Sequence, residues 1–366
     1  MRTPLCTAAL LAVAVPAQSL VVVPNGYENL EGTSASRTPF GWTSGRIQYL
    51  VDGSQLCQTS AVITNLRLRL DGGNFNVDAP VAKTFQATID AYEVPITPST
   101  MVATWAQNIG TAVPTNVFSG PLQVPAATRV LPYPNPWTID IPLNPPLVYL
   151  RANGNLLLDL VVTGGTGDNW PADGFFFHAT QPRGEVTKIQ EDSACASPSG
   201  SLSIDVPQTS GNGVVGGTLR VNHTVTAAAG AVVDQVFHVL SLDNRWSGAL
   251  ALPVPLTALG ASSCLLNVDP QLGALVATSA GAQLWTLPNT ASAVGVPLFT
   301  QALAIDFAAG GFVPSRNSFQ VRIGAAVPPA GPAQMVHQSN YVAQNGGALS
   351  PTGYFGIVLG FVGAFQ

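Results

Sequence analysis

Glycine and proline recur along the whole chain and leave few stretches in which a helix of ordinary length can form. The 36 glycines and 30 prolines follow no collagen-like period, and both residue types destabilise helix interiors. Short strands joined by turns are therefore expected, and no region alternates strand with helix as a parallel α/β sheet requires. One short helix is predicted at residues 98–108, where Thr97 can cap it and Gly110 can end it.

Period-two alternation of apolar and polar residues supports a β-rich fold. Residues 66–70 read LRLRL, which predicts a strand with its leucines in a core and Arg67 and Arg69 in water. Residues 83–94 repeat the pattern. Their expected inner face consists of Phe85, Ala87, Ile89 and Ala91.

Length and charge distribution predict two domains. A chain of 366 residues is long for one ordinary core, and it contains no lysine or glutamate after Gly200. The segment from Ser193 to Gly200 is therefore the predicted boundary between domains 18–192 and 193–366. Regular strands with glycine and proline turns predict an all-β protein of two antiparallel β-sandwich domains in tandem, of the jelly-roll or immunoglobulin-like kind.

The N-terminus has the pattern of a secretory signal peptide. Arg2 precedes an apolar run from Leu5 to Val15, and a small-residue site predicts cleavage after Ala17. Residues 1–17 are therefore expected to be removed, and the mature chain to be secreted, placed at the cell surface or held in the periplasm. No other apolar run approaches the ~20 residues of a membrane helix, so no transmembrane segment is expected in the mature chain.

The low charge of the chain narrows the classes of partner. Charged residues make up 9% of the sequence, compared with roughly 25% in typical soluble proteins, and the net charge is -5. This composition lacks the basic surface that nucleic acids require, so we expect no nucleic-acid partner. Polar but nearly neutral surfaces favour uncharged partners such as polysaccharides or other cell-surface components.

The cysteines predict one disulfide bond. Cys6 lies in the predicted signal peptide, which leaves three cysteines in the mature chain. Cys195 and Cys264 are expected to pair in an oxidising compartment, because both lie in the second predicted domain. Cys57 is expected to be a buried thiol, since it lies beside Leu56 and before a strand.

One polar loop is a candidate metal site. Asp71, Asn74, Asn76 and Asp78 place four oxygen-bearing side chains within eight residues, and Ca²⁺ prefers such carboxylate and amide oxygens. The spacing does not match an EF-hand, and an ordinary hairpin connection uses the same residue types. Calcium is thus one interpretation of this loop and a turn is the other.

No motif predicts a catalytic residue. The chain has no nucleophile elbow, no Walker loop and no paired histidines of a zinc site. Glycoside hydrolysis needs two nearby carboxylates. Four acids on or beside predicted strands could supply such a pair, or they could simply be solvated: Asp90, Glu93, Asp140 and Asp159. Trp170, in a glycine-rich loop, is the candidate on which a sugar ring could stack.

Several segments resemble a group of uncharacterised exported bacterial β proteins with two domains. In the first domain these are residues 46–50 (RIQYL), 66–71 (LRLRLD), 137–143 (WTIDIPL) and 155–159 (NLLLD); in the second they are Cys195, 264–266 (CLL), 299–302 (FTQA) and 305–306 (ID). The resemblance implies export and a pair of β domains. It implies no catalytic residue, because no activity is known for the group.

The function expected from the sequence is binding or adhesion outside the cytoplasm, with carbohydrate as the ligand. Neutral polar faces and aromatic residues in loops suit such a ligand. The alternatives are a structural protein of the cell envelope or extracellular matrix, which exposed strand edges would favour, and a glycan-degrading enzyme.

Overall fold

A computed structural model describes residues 18–366, apart from residues 74, 76, 167, 179–181, 192–194, 196, 231–232, 234, 262, 271–273, 279–280, 307–310, 327–330, 340–345 and 351–352. The fold is all-β, with 55% strand and 6% helix, which confirms the predicted class. Among the described residues, no helix has the length and apolar character needed to cross a membrane. The predicted signal peptide, residues 1–17, lies outside the described residues.

The strands follow one another in short, closely spaced segments. The first part of the chain contains β1 (Ser19–Val23), β2 (Ser34–Ser36), β3 (Gly45–Val51), β4 (Ser60–Arg69), β5 (Lys83–Val94), β6 (Thr115–Val124), β7 (Trp137–Leu150), β8 (Asn155–Thr163), β9 (Ala172–His178) and β10 (Glu185–Glu191). The rest contains β11 (Gly200–Asp205), β12 (Thr218–Ala227), β13 (Gln235–Ser241), β14 (Trp246–Ser247), β15 (Leu250–Ala251), β16 (Val254–Pro255), β17 (Leu265–Leu266), β18 (Ala274–Thr278), β19 (Ala282–Thr286), β20 (Pro297–Asp306), β21 (Gly311–Pro314), β22 (Asn317–Arg322), β23 (Ala333–Ser339), β24 (Ala348–Leu349), β25 (Gly353–Ile357) and β26 (Leu359–Phe365). Single 3₁₀ turns occupy Gly53–Gln55, Pro98–Thr100, Arg151–Asn153, Thr257–Leu259 and Ala291–Ala293.

The first hydrophobic core joins residues of three sheets. The largest sheet has the strand order β24-β23-β3-β8-β5-β6, the second has the order β1-β26-β4-β7, and the third has the order β2-β9-β25. The predicted inner face of β5 is buried in this core, as the alternation of residues 83–94 required. Leu66, Leu68 and Leu70 are buried there as well, so the hydrophobic pattern was a reliable guide to these strands.

Arg69 departs from the alternation. Arg67 is partly exposed and pairs with Asp140 at 2.9 Å, as expected for the outer face. The prediction for Arg69 was wrong, because its side chain is only 1% exposed and pairs with Asp173 at 2.7 Å. A register irregularity between Leu68 and Arg69 interrupts the ladder with β7. The carboxylate supplied by β9 makes burial of the guanidinium possible, since a buried charge needs a partner.

A second hydrophobic core belongs to the middle of the chain. Its larger sheet has the order β10-β22-β20-β13-β18 with β21 on β20, and its smaller sheet has the order β11-β12-β19. Residues such as Leu202, Leu219 and Val321 meet in this core. The predicted disulfide is present and joins Cys195 to Cys264 in a small cluster of its own. Cys57 is a buried free thiol, as expected.

Strands from both sides of the predicted boundary pair in the same sheets. β10, which precedes residue 193, pairs with β22, while β23 pairs with β3 and β26 pairs with β1 and β4. The chain therefore leaves the first core, builds the second and returns. The division into domains 18–192 and 193–366 stays a prediction, and Ser193 itself lies outside the described residues.

The predicted helix is shorter than expected. Helix α1 spans Trp105–Ile109, and only the 3₁₀ turn at Pro98–Thr100 precedes it. The side chain of Asn108 explains the interruption, because its Oδ1 accepts from Val102 N at 2.9 Å and its Nδ2 donates to Val102 O at 2.7 Å. These bonds hold the intervening residues in a loop, and Gly110 ends the helix with a φ of 60°.

Candidate functional site

A cleft of about 310 Å³ opens where the two halves of the chain meet. One wall comes from strands and loops of the first core and the other from the edge of the second core. The residues that give it chemical character are Thr33, Phe176 and Phe177 on the first wall and Arg183, Glu185 and Arg322 on the second. Binding sites are commonly built in this way, with a concave apolar surface and a few convergent polar groups.

Three side chains form a hydrogen-bonded group at the base of the second wall. Tyr27 donates its hydroxyl to Glu185 Oε2 at 2.7 Å, and Arg322 Nη1 lies 3.5 Å from the same oxygen. The guanidinium carbon of Arg322 also lies 4.5 Å above the centre of the Tyr27 ring. β10 and β22 supply the two charged residues side by side, because Glu185 and Arg322 are opposite each other in the antiparallel register.

Burial governs the charge of this group. It raises the pKa of Glu185 to about 7, outweighing the attraction of Arg322 and the hydrogen bond from Tyr27, which both favour the ionised carboxylate. Burial also lowers the pKa of the nearby Arg183, whose Nη1 donates to Gln208 O at 2.5 Å. Near neutral pH the cleft therefore holds two guanidinium groups and a carboxyl that is only partly ionised. The net charge of the cleft is therefore positive, although the net charge of the whole chain is negative.

Trp170, the predicted stacking residue, lies in the first core. It has no exposed surface, packs edge-on against Phe40 with ring centroids 5.9 Å apart and donates Nε1 to Pro125 O at 3.1 Å. A sugar ring cannot reach it. The correction has a physical reason: the apolar ring fills the core while its polar N–H finds a backbone acceptor.

The predicted calcium loop has two different ends. Asp71 is fully buried, and its Oδ2 accepts a hydrogen bond from Phe75 N at 2.7 Å. Asp78 is exposed and pairs with Arg129 at 3.4 Å. Asn74 and Asn76 lie outside the described residues, so the four-residue site stays a prediction. The structure instead brings Asp71 close to Glu31 and Asp173, whose oxygens are suitably spaced to share a cation.

The four strand carboxylates considered for glycoside hydrolysis have structural partners. Each is bound to a neighbouring side chain: Asp90 to Asn116 at 2.8 Å, Glu93 to Asn153 at 2.7 Å, Asp140 to Arg67 at 2.9 Å and Asp159 to Arg46 at 2.6 Å. Asp90 and Asp159 are opposite each other on β5 and β8, whereas Asp140 lies on β7 in a different sheet. The side-chain partners give each of the four carboxylates a structural role.

Sequence reasoning missed the cleft because its charged residues are far apart in the chain. Arg322 is separated from Arg183 and Glu185 by more than a hundred positions, and only β-pairing makes them neighbours. A usable signal was nevertheless present, since Arg322 ends the strand FQVR in a half of the chain that is very poor in charge. A scan against protein-family models finds no match, and a search of the curated proteins finds no significant match. The function must therefore be argued from the site.

Proposed function

We propose that the protein is an exported binding protein, built on two β-sandwich units, whose cleft binds an acidic carbohydrate. The observation that carries the proposal is the pair of arginines, Arg183 and Arg322, which line one cleft together with Glu185. Guanidinium groups suit carboxylate and sulfate groups because they offer two parallel hydrogen bonds. An acidic sugar therefore fits this cleft better than the uncharged ligand expected from composition.

The remaining lining suits a sugar. Asn25, Gln55 and Gln208 contribute amide groups, which can both donate to and accept from hydroxyls. Phe176 and Phe177 are half-buried and provide apolar surface for the ring faces. The volume of about 310 Å³ is at the lower end for ligand sites, which run from about 300 to 1,000 Å³. This size favours recognition of one or two sugar units at the end or side of a chain.

Binding accounts for the cleft better than hydrolysis does. Glu185 is the only carboxylate among the described residues that line it. The general mechanism of glycoside hydrolysis uses two carboxylates about 5 to 10 Å apart. A single buried acid between two arginines instead adjusts the charge of the site.

The test is calorimetric titration of the mature chain with oligosaccharides that differ only in their uronic-acid content. We expect the acidic member of each pair to bind more tightly, and the substitution Arg183→Gln to weaken its binding by at least about tenfold, as loss of a charge-assisted bond predicts. Affinity should fall between pH 6 and pH 8, because ionised Glu185 repels the anion. Arg67→Gln is the matched control, since Arg67 is an arginine of β4 that lies outside the cleft. Equal binding of neutral and acidic sugars, or no effect of Arg183→Gln, would refute the proposal.

A structural role is the second candidate. Val62 and Val148 are opposite each other on β4 and β7, and they are 42% and 62% exposed. β7 is the last strand of its sheet, and an apolar surface at a sheet edge favours association between copies.

A further inference from the structure

Three fully buried carboxylates converge where the two halves of the chain meet. Glu31, Asp71 and Asp173 have no exposed surface, and one oxygen from each lies within 4.8 Å of the others. Two oxygens bound to one Ca²⁺ at 2.3–2.6 Å can be at most about 5 Å apart. The spacing is therefore that of ligands around a single ion.

Charge also favours a cation in this cluster. Arg69 pairs with Asp173 at 2.7 Å, and three carboxylates enclosed together are strongly unfavourable unless positive charge compensates them. A divalent cation bound between the three carboxylates would supply such charge.

Glu31 supplies the independent observation. Its Oε1 accepts from Gly72 N at 2.6 Å and Gly73 N at 3.3 Å, whereas its Oε2 is enclosed and has no hydrogen-bond partner among the described residues. Buried carboxylate oxygens are normally satisfied. The unsatisfied oxygen, enclosed in a cluster with two further carboxylates, is therefore a position at which a proton or a cation completes the site.

We infer that Glu31, Asp71 and Asp173 bind one calcium ion. Calcium fits better than magnesium because a fully buried site must supply its ligands from the protein, and magnesium usually keeps several waters. The ion would hold together the segment around Glu31, the end of β4 and the start of β9. The main chain of the first segment is also bonded to the second core, since Gln320 Nε2 donates to Glu31 O at 3.0 Å and Thr187 Oγ1 donates to Gly32 O at 3.0 Å. The inference concerns a different site from the cleft and does not depend on its ligand.

The first experiment measures metal in the secreted full chain. Because the site is enclosed, we expect one calcium ion per chain by mass spectrometry even after dialysis against a chelating resin. The chain is then unfolded in urea with EDTA and refolded with and without calcium. We expect calcium to raise the Tm by at least about 5 °C. Absence of bound calcium before and after refolding, together with an unchanged Tm, would overturn the inference.

Two variants separate the possible explanations. Glu31→Gln preserves shape and the acceptor for Gly72 N but removes a charge, so we expect the calcium content and the calcium-dependent Tm shift to be lost. If the cluster holds only a proton, the glutamine side chain has the same charge as the protonated Glu31 that it replaces. Calcium then changes the Tm of neither protein. Asp78→Asn is the matched control, because this exposed acid belongs to the 71–78 loop but not to the cluster. A Tm shift that is lost in Asp78→Asn but kept in Glu31→Gln would place calcium in the loop and reject the buried site.

Discussion

The substitution Glu185→Gln tests the electrostatics of the cleft most directly. The side chain of Glu185 is 17% exposed, and burial raises its pKa from the ordinary 4.5 to about 7. The folded state therefore binds this proton more tightly than the unfolded state does. The stabilisation that results is complete below pH 4.5 and is lost as the pH rises through about 7. One pKa unit corresponds to about 1.4 kcal/mol, so this group should lower the free energy of unfolding by roughly 2 to 3 kcal/mol between pH 5 and pH 8.

Glutamine lacks this titration and can still accept the hydrogen bond from Tyr27. We therefore expect the free energy of unfolding of Glu185→Gln, measured relative to that of the wild type, to rise by roughly 2 to 3 kcal/mol from pH 5 to pH 8. Urea denaturation followed by tryptophan fluorescence at both pH values measures the difference. Other titrating groups such as Glu31 and Asp173 contribute equally to both proteins and cancel.

Glu191→Gln is the matched control for this prediction, because it removes the same group from the exposed end of β10. Among the described residues its carboxylate pairs with Lys188 at 2.6 Å, and an exposed pair of this kind contributes less than about 1 kcal/mol. If Glu185→Gln were less stable than the wild type at pH 8, attraction to Arg322 would outweigh burial, and the reasoning about the charge of the cleft would be wrong.

Two further predictions concern the framework. The double substitution Cys195→Ala and Cys264→Ala should lower the free energy of unfolding by about 4 kcal/mol, because the bond joins cysteines 69 positions apart; unchanged urea denaturation would contradict this. If binding is the function, light scattering should show a monomer over a wide concentration range. Growth into assemblies that Val148→Lys abolishes would instead support the structural role.

The local pattern was sufficient to predict most of the first core. Alternation along β5 identified its inner face correctly, because a strand with one buried face must repeat every two residues. The same rule failed at Arg69, since it cannot include a partner supplied by a distant strand. Trp170 was misjudged for a related reason: a glycine-rich loop suggested exposure, but the ring fills a gap beside Phe40.

Both candidate sites arise from the way the chain crosses between its cores. β10 leaves the first core to pair with β22, which brings Glu185 beside Arg322 in the cleft. The segment that contains Glu31 is bonded to β10 and β22 through its backbone, while its side chain meets acids of the first core. Residues that converge at such a crossing carry no common sequence motif, because their spacing along the chain is set by the length of the strands between them. A pattern search along one sequence is therefore expected to find the cores and to miss the sites between them.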